Sequence, residues 1–410
     1  MVPNGWKRVP IKEVCHSIID CVNKTAPVVD YETPYKMIRT SNVRNGKINT
    51  LDVRYVTKET YEQWTRRGAP LKGDVILTRE APVGEVGLLE NAEGIFLGQR
   101  LMMYRANKKI ADNYFLFYSL SSAFCQKQIE DYSNGGTVAH MRVPDCGEIL
   151  VNLPPLSEQN KIAQILSTWD QAISATEKLL ENSQRQKHAL MQELLMKKTR
   201  LFDDNGNRFS TEWRSISLNQ ICEFIKDGTH GTHVRYESGV PMLSATNITK
   251  DGRIDFKDVP FISEEDYLKI HSKYQISKGD ILLSVVGTIG RVAVVKEDCK
   301  FTLQRSVAIL RPKKNICVEF IEQVLSTPYF RSVLHRRSNS TAQAGVYLGE
   351  LNKLNINLPE LLEQKKIAEV LALADKQTAI IKTNVKKLKQ EKKALMQQLL
   401  TGKKRVKVAA

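Results

Sequence analysis

Leu153-Pro154-Pro155-Leu156-Ser157-Glu158-Gln159-Asn160-Lys161-Ile162-Ala163 returns 205 residues later as Leu358-Pro359-Glu360-Leu361-Leu362-Glu363-Gln364-Lys365-Lys366-Ile367-Ala368. Ala189–Leu195 (ALMQELL) returns at the same offset as Ala394–Leu400 (ALMQQLL), with no gap between the two matches. A period equal to half of a 410-residue chain marks one duplicated unit, and an internal repeat governs architecture before any local propensity does.

After the prolines, which stop a strand and lead into a helix start, apolar residues fall at alternating steps of four and three. The first seam runs through Ile162, Leu166, Trp169, Ile173, Thr176, Leu180, Ser183, Lys187, Leu190 and Leu194. The second runs through Ile367, Leu371, Ala374, Thr378, Ile381, Val385, Leu388, Lys392, Leu395 and Leu399. A mean step of about 3.5 keeps one narrow stripe on a partner helix along its whole length, and neither seam contains Gly or Pro. The two helices therefore pair with each other. A globular segment has its ends close together, so residues 201–357 can cap the end of one helix and the start of the next, which makes the pair antiparallel. Each helix is roughly 60 Å long at about 1.5 Å per residue. Centred pairing places Trp169 beside Lys392 and Lys187 beside Ala374.

The flanking segments repeat more loosely. Trp6, Val9, Ile11, Val14 and Cys15 match Trp213, Ile216, Leu218, Ile221 and Cys222; Asn42 matches Asn247; Lys72-Gly73-Asp74 matches Lys278-Gly279-Asp280; Gln99-Arg100 matches Gln304-Arg305. Gly-Asp turns feeding β-branched runs, with Gly84 and Gly290 behind them, read as paired antiparallel strands. Each half closes with one helix, Asn113 to Ile129 and Val318 to Arg337, and then a polar loop at 133–138 or 339–345. The expected fold is α+β: two mixed, sheet-rich domains separated by two long helices in an antiparallel coiled coil, with a pseudo-two-fold internal repeat. The expected divisions are a first domain at 1–153, a first spacer helix at 154–200, a second domain at 201–357, a second spacer helix at 358–402 and a basic tail at 403–410. Scaffold positions agree between copies while the polar residues between them differ, as expected when each copy binds something different.

Composition narrows the partner. With 61 Lys plus Arg against 45 Asp plus Glu, the formal charge is +16, which favours a polyanion. The apolar run Ile281–Val295 is cut by Arg291 and falls short of a membrane span, and Met1–Arg8 has no apolar leader core. Seven scattered cysteines without a C-x-x-C pair read as reduced thiols, so a cytoplasmic protein is expected. No Walker A, HExxH or G-x-S-x-G pattern is present. Asp227-Gly-Thr-His230-Gly-Thr-His233 lacks further ligands at a metal-binding spacing. It reads either as an ordinary surface loop or as one whose Thr and His donate to bases or phosphates.

Two variable domains, each followed by Glu158-Gln159…Ile162-Ala163 or by Glu363-Gln364…Ile367-Ala368 and a long heptad helix, resemble the specificity subunits of type I restriction-modification systems, over essentially the whole chain. The resemblance implies a sequence-specific DNA-binding subunit in which each domain reads one half of a bipartite target and the helices set the spacer. It implies double-stranded DNA, two modification (methyltransferase) subunits and restriction (endonuclease/translocase) subunits as partners, with no membrane. It also implies a non-catalytic chain without a metal or cofactor of its own, S-adenosylmethionine, ATP and Mg belonging to the partners. An architectural coiled-coil DNA-binding adaptor without a fixed target is the alternative. The residues expected to meet DNA are Arg39, Thr40, Asn42, Arg44, Arg79, Arg100, His140 and Arg142 in the first domain. In the second they are Thr229, His230, His233, Arg235, Asn247, Arg291 and Arg305. Arg pairs with guanine and Asn with adenine, whereas Arg100 and Arg305, common to both copies, can equally support the fold or hold phosphate.

Overall fold

The computed structural model describes residues 2–133, 139–338 and 344–408. Positions 134–138 and 339–343 of the two polar loops lie outside the described residues. The chain divides into two compact units, Met1–Lys178 with Lys382–Ala410, and Leu179–Ile381.

In the first unit the elements are β1 (Lys7–Pro10), β2 (Cys15–Asp20), β3 (Lys36–Ile38), β4 (Val43–Arg44), β5 (Lys47–Ile48), β6 (Arg54–Tyr55), α1 (Lys58–Trp64), β7 (Val75–Arg79), β8 (Val83–Leu88), β9 (Ile95–Leu97), β10 (Leu101–Ala106), α2 (Asn113–Leu120), α3 (Ala123–Tyr132), β11 (Leu150–Leu153) and the start of α4 (Leu156–Leu195). The main sheet has the order β2-β10-β7-β8, a smaller one the order β6-β3-β9, and β1 pairs with β11. Strand β10 shows why the unit is layered. Met102, Tyr104 and Ala106 enter the core shared with α2 and α3, while Leu101 and Met103 enter a second core against Ile38 and Ile95. Alternate residues of a strand face opposite sides, so a strand whose residues Leu101–Tyr104 are all buried is covered on both.

The second unit repeats this plan with β12 (Arg214–Ser217), α5 (Leu218–Ile221), β13 (Cys222–Asp227), β14 (Val240–Leu243), β15 (Phe261–Ile262), α6 (Glu264–Ile270), β16 (Ile281–Ser284), β17 (Val292–Val294), β18 (Thr302–Leu303), β19 (Val307–Pro312), α7 (Val318–Leu325), α8 (Pro328–Arg337), α9 (Leu348–Asn352), β20 (Asn355–Leu358) and the start of α10 (Leu361–Leu400). Its main sheet is β13-β19-β16-β17. Ala308 and Leu310 lie in one core, Val307 and Ile309 in the other. Where one closing helix per half is expected, two stand. Ser122 accepts a hydrogen bond from the Cys125 amide and starts α3. In the second copy Thr327 caps α8 with Pro328 behind it, and a capping hydroxyl followed by proline favours a new helix start.

The repeated Lys-Gly-Asp turns have a structural cause. Gly73 and Gly279 both adopt φ of 91°, a conformation that glycine takes at no steric cost. Each following aspartate is buried and paired: Asp74 accepts from Arg105 Nε and Nη2 at 2.9 and 2.7 Å, Asp280 from Arg311 Nε and Nη2 at 2.8 Å each. Paired, hydrogen-bonded carboxylates of this kind are tolerated in a core where lone ones are not.

Both units pair segments of the long helices antiparallel. In the first, Lys392 Nζ stands 2.6 Å from Asp170 Oδ1 and Lys389 Nζ 2.6 Å from Glu177 Oε1. In the second, Lys187 pairs with Asp375, and the hydroxyls of Ser183 and Thr378 meet at 3.0 Å. These contacts stand one residue from the expected neighbours Trp169–Lys392 and Lys187–Ala374. The seam therefore carries one polar node in each unit. Tyr118 Oη donates to Asp170 at 2.7 Å, and Gln323 Nε2 donates to Asp375 at 3.2 Å. Polar pairs at seam positions fix register. At the helix ends the seam becomes domain core, Ile162, Leu166 and Leu399 in the first unit and Leu194, Ile367 and Leu371 in the second. Leu190 departs from the expected seam: it is exposed, and Met191 is buried in its place. A 3.6-residue helix drifts away from a strict 3.5 repeat, and here the adjoining core receives the next residue.

Within the expected basic tail, Arg405 is anchored. Arg405 Nε donates to Glu158 Oε2 at 2.9 Å and its Nη2 reaches the other oxygen, while Trp6 Nε1 donates to the same carboxylate at 3.3 Å. Arg405 holds this carboxyl below its ordinary value, with the indole assisting against the opposing effect of burial. A carboxylate whose folded value is lowered stabilises the fold above its unfolded value and loses that contribution as pH falls through the folded one. The melting temperature of Glu158→Gln is therefore expected to fall less steeply than that of the parent chain between pH 6 and pH 3. Parallel curves would remove the pair from the acid response.

Candidate nucleic-acid interface

One end of each main sheet gathers the loops that carry most of the selected polar residues. In the first unit Gly98 N donates to Ile38 O at 2.8 Å, Cys21 N to Leu101 O at 3.2 Å, Arg79 N to Arg100 O at 2.8 Å and Met141 N to Arg79 O at 3.0 Å. These bonds tie the ends of β2, β3 and β7 to the turn before β10 and to His140–Met141, so Arg39, Arg100 and His140 share one edge. The second unit is built alike. Thr229 N donates to Leu303 O at 2.8 Å, Arg305 N to Thr229 O at 3.1 Å, Gln304 N to Leu243 O at 2.8 Å and Val346 N to Val285 O at 2.9 Å. Thr229, His230, His233 and Arg305 are thereby brought together.

The side chains at the two edges differ. Arg100, at φ 70°, pairs through Nε with Glu80 Oε2 at 3.0 Å, and His140 is exposed. In the other unit His230 Nε2 meets Asp227 Oδ2 at 2.6 Å. His233 Nε2 meets Thr229 Oγ1 at 2.8 Å, with its Nδ1 3.5 Å from Asp266. Arg235 and Arg305 are exposed, and neither guanidinium has a hydrogen-bond or ion-pair partner among the described residues.

Several selected residues serve the fold instead. Asn42 is 3% exposed; its Oδ1 accepts from Arg39 N and its Nδ2 donates to Asn49 O and Asp52 O. Asn247 does the same work through Ser244 N and Asp255 O, so neither amide is left for an adenine edge. Arg79 is buried and donates to Met141 O at 3.0 Å. Arg44 Nη1 donates to Thr40 O and Val43 O in its own turn, and Arg291 Nη1 to Ile248 O, 43 residues away, at 2.9 Å, so both spend donors on the backbone. Thr40 is half-buried. Arg142 is exposed and held in a bidentate pair with Asp145, and Arg39 lies 3.8 Å from Asp52.

Sequence reasoning missed Glu80 and Asp266, which stand against Arg100 and His233, and two exposed tyrosines beside the second edge, Tyr236 and Tyr347. Asp227, at i−3 from His230, did carry a local signal. Among the described residues no cluster of His, Cys, Asp and Glu could hold a metal ion, and no helix is long and apolar enough to cross a membrane.

A family model described as the type I restriction modification DNA specificity domain matches residues 3–182 and again 210–390. The chain is similar to the type I restriction enzyme MjaVIII specificity subunit of Methanocaldococcus jannaschii, at 27% identity over 99% of this chain and 94% of that one. It is also similar to the EcoKI specificity subunit of Escherichia coli K12, at 22% identity over 91% of this chain and 84% of that one. Among solved structures, the S subunit of a type I restriction-modification system from M. genitalium matches with a TM-score of 0.61 and 18% identity over 98% of both chains, which is a likeness of fold.

Proposed function

We propose a function from one premise: the chain belongs to the family of type I restriction modification DNA specificity domains, whose model matches it twice. It is the sequence-specific DNA-binding subunit of a type I restriction-modification complex, and it carries out no reaction itself. Each sheet-rich domain reads one half of a bipartite target, and the long helices set the unread spacer. Two modification subunits dock on the helices and restriction subunits join them. S-adenosylmethionine, ATP and Mg belong to these partners, and the complex works in the cytoplasm.

One observation carries the reading of two different half-sites. The two units keep the same ion pairs, turns and buried amides but end in unlike polar edges, Glu80–Arg100 with His140 in one, Asp227–His230, His233 and Arg305 in the other. A scaffold held constant under changing polar edges is what two readers of different sequence require. Arg100, Arg305 and Arg235 supply guanine or phosphate contacts, His140, His230 and His233 adjust the fit, and Tyr236 and Tyr347 lie against the sugar-phosphate backbone.

Methylome sequencing of a host carrying the complete system tests this directly. Two unlike half-sites around an unread spacer of fixed length are expected, with neither methylation nor cleavage by the purified chain alone. Methylation at a single uninterrupted sequence, or at none, would overturn the proposal.

A further inference from the structure

The duplication left its two long helices with different charge: α10 carries nine lysines against four acidic residues, while α4 carries four Lys and Arg against five acidic residues. Much of the difference lies on one flank of α10 within the first unit. Lys382, Lys386, Lys389 and Lys393 follow steps of four, three and four, which at about 100° per residue aligns them on one face roughly a quarter turn from the seam of buried Ile381 and Val385 and half-buried Leu388 and Lys392. All four are exposed. Lys389 reaches Glu177; Lys382, Lys386 and Lys393 have no hydrogen-bond or ion-pair partner among the described residues. The positions 205 residues earlier are Glu177, Glu181 and His188, so the coiled coil itself does not require lysine there. A solvated flank would be expected to mix signs, as the opposite flank does with Lys387 beside Glu391 at 3.9 Å.

From this geometry we infer that the Lys382–Lys386–Lys393 face of α10 binds the phosphate backbone of the DNA spacer, independently of sequence. The inference rests on the reading of the chain as a bipartite DNA reader. The stripe spans about 16 Å, while one strand offers a phosphate about every 3.4 Å of axis, so each ammonium can meet a separate phosphate. Such contacts release counterions and carry affinity without base preference. They supply binding energy where a spacer of unread sequence offers no base contacts.

The test uses the complex assembled with its modification subunits. Salt dependence of specific binding is measured for the parent and for K382Q/K386Q/K393Q, on duplexes with natural spacer phosphates and with neutral methylphosphonates there. Three lost contacts should lower the salt slope by about 2.7, making the affinity loss between 50 and 200 mM salt about fortyfold shallower, with both half-sites unchanged. Methylphosphonates should weaken the parent and have little further effect on the variant. The inference is overturned by an unchanged slope, by methylphosphonates weakening both proteins equally, or by loss of co-purified subunits without a change in slope, which would assign the face to an acidic protein. A parent complex showing no sequence preference would instead overturn the functional reading, whatever its slope.

Discussion

Arg200→Ala is expected to destabilise the second unit by about 3 kcal/mol, among the largest effects available to a single substitution outside the apolar core. Glu363, at the start of α10, is fully buried. Its two oxygens accept from Arg200 Nε and Nη2 at 2.6 and 2.8 Å and from Trp213 Nε1 at 3.0 Å. Arg200 also donates to Thr211 O and lies 5.9 Å from the Trp213 ring centroid. Truncation would leave a buried carboxylate with the indole as its remaining side-chain donor, and the penalty of an uncompensated buried charge exceeds the net worth of the intact pair. Arg200→Met with Glu363→Gln should therefore recover part of the loss, because no charge is then left unpaired. Urea melts read through near-ultraviolet circular dichroism would show it. The matching Arg405→Ala should cost less, since Arg405 is 42% exposed at its side chain against 20% for Arg200 and water can replace more of what it gives. Equal stability of Arg200→Ala and the parent would mean that water reaches the Glu363 carboxylate in solution.

This pair also shows what a sequence can and cannot disclose. The 205-residue period put Glu158 and Glu363 at equivalent helix starts, and centring the two seams on each other gave their contacts to within a residue. The partners Arg405 and Arg200, themselves 205 apart, stayed hidden because each lies past the end of the other long helix, a proximity that only the folded pair creates. Asp74 was visible as part of a shared turn, but Arg105 stands on a neighbouring strand 31 residues away. Asn42 and Asn247 were misread for a related reason. Asn is apt for adenine, yet in both copies its side-chain amide is spent on the backbone of its own loop. Buried below 10% with amides donating to loop carbonyls, they fix the turn from which the variable loops spring.

Arg305→Ala is accordingly expected to weaken specific binding ten- to a hundredfold, about 1–3 kcal/mol, and to relax the preference at one base of one half-site. Three features single out this arginine. It sits at the edge where the Thr229–His233 loop meets the turn before β19, it is exposed, and its guanidinium has no partner among the described residues. An unpaired guanidinium breaks no ion pair to make a bidentate guanine contact, whereas Arg100 must share its Nε with Glu80. Glu80→Gln should thus perturb the half-site read by the first unit and leave that of the second untouched. Asn247→Ala should lower the stability of the second unit, because it strips buried backbone groups of their partners, without changing which bases are preferred. Competition binding with duplexes substituted one base at a time in each half-site separates the three outcomes. If Arg305→Ala weakens every duplex by the same factor and flattens the salt dependence by about one contact, Arg305 grips phosphate, and base reading by the second unit passes to His230 and Arg235.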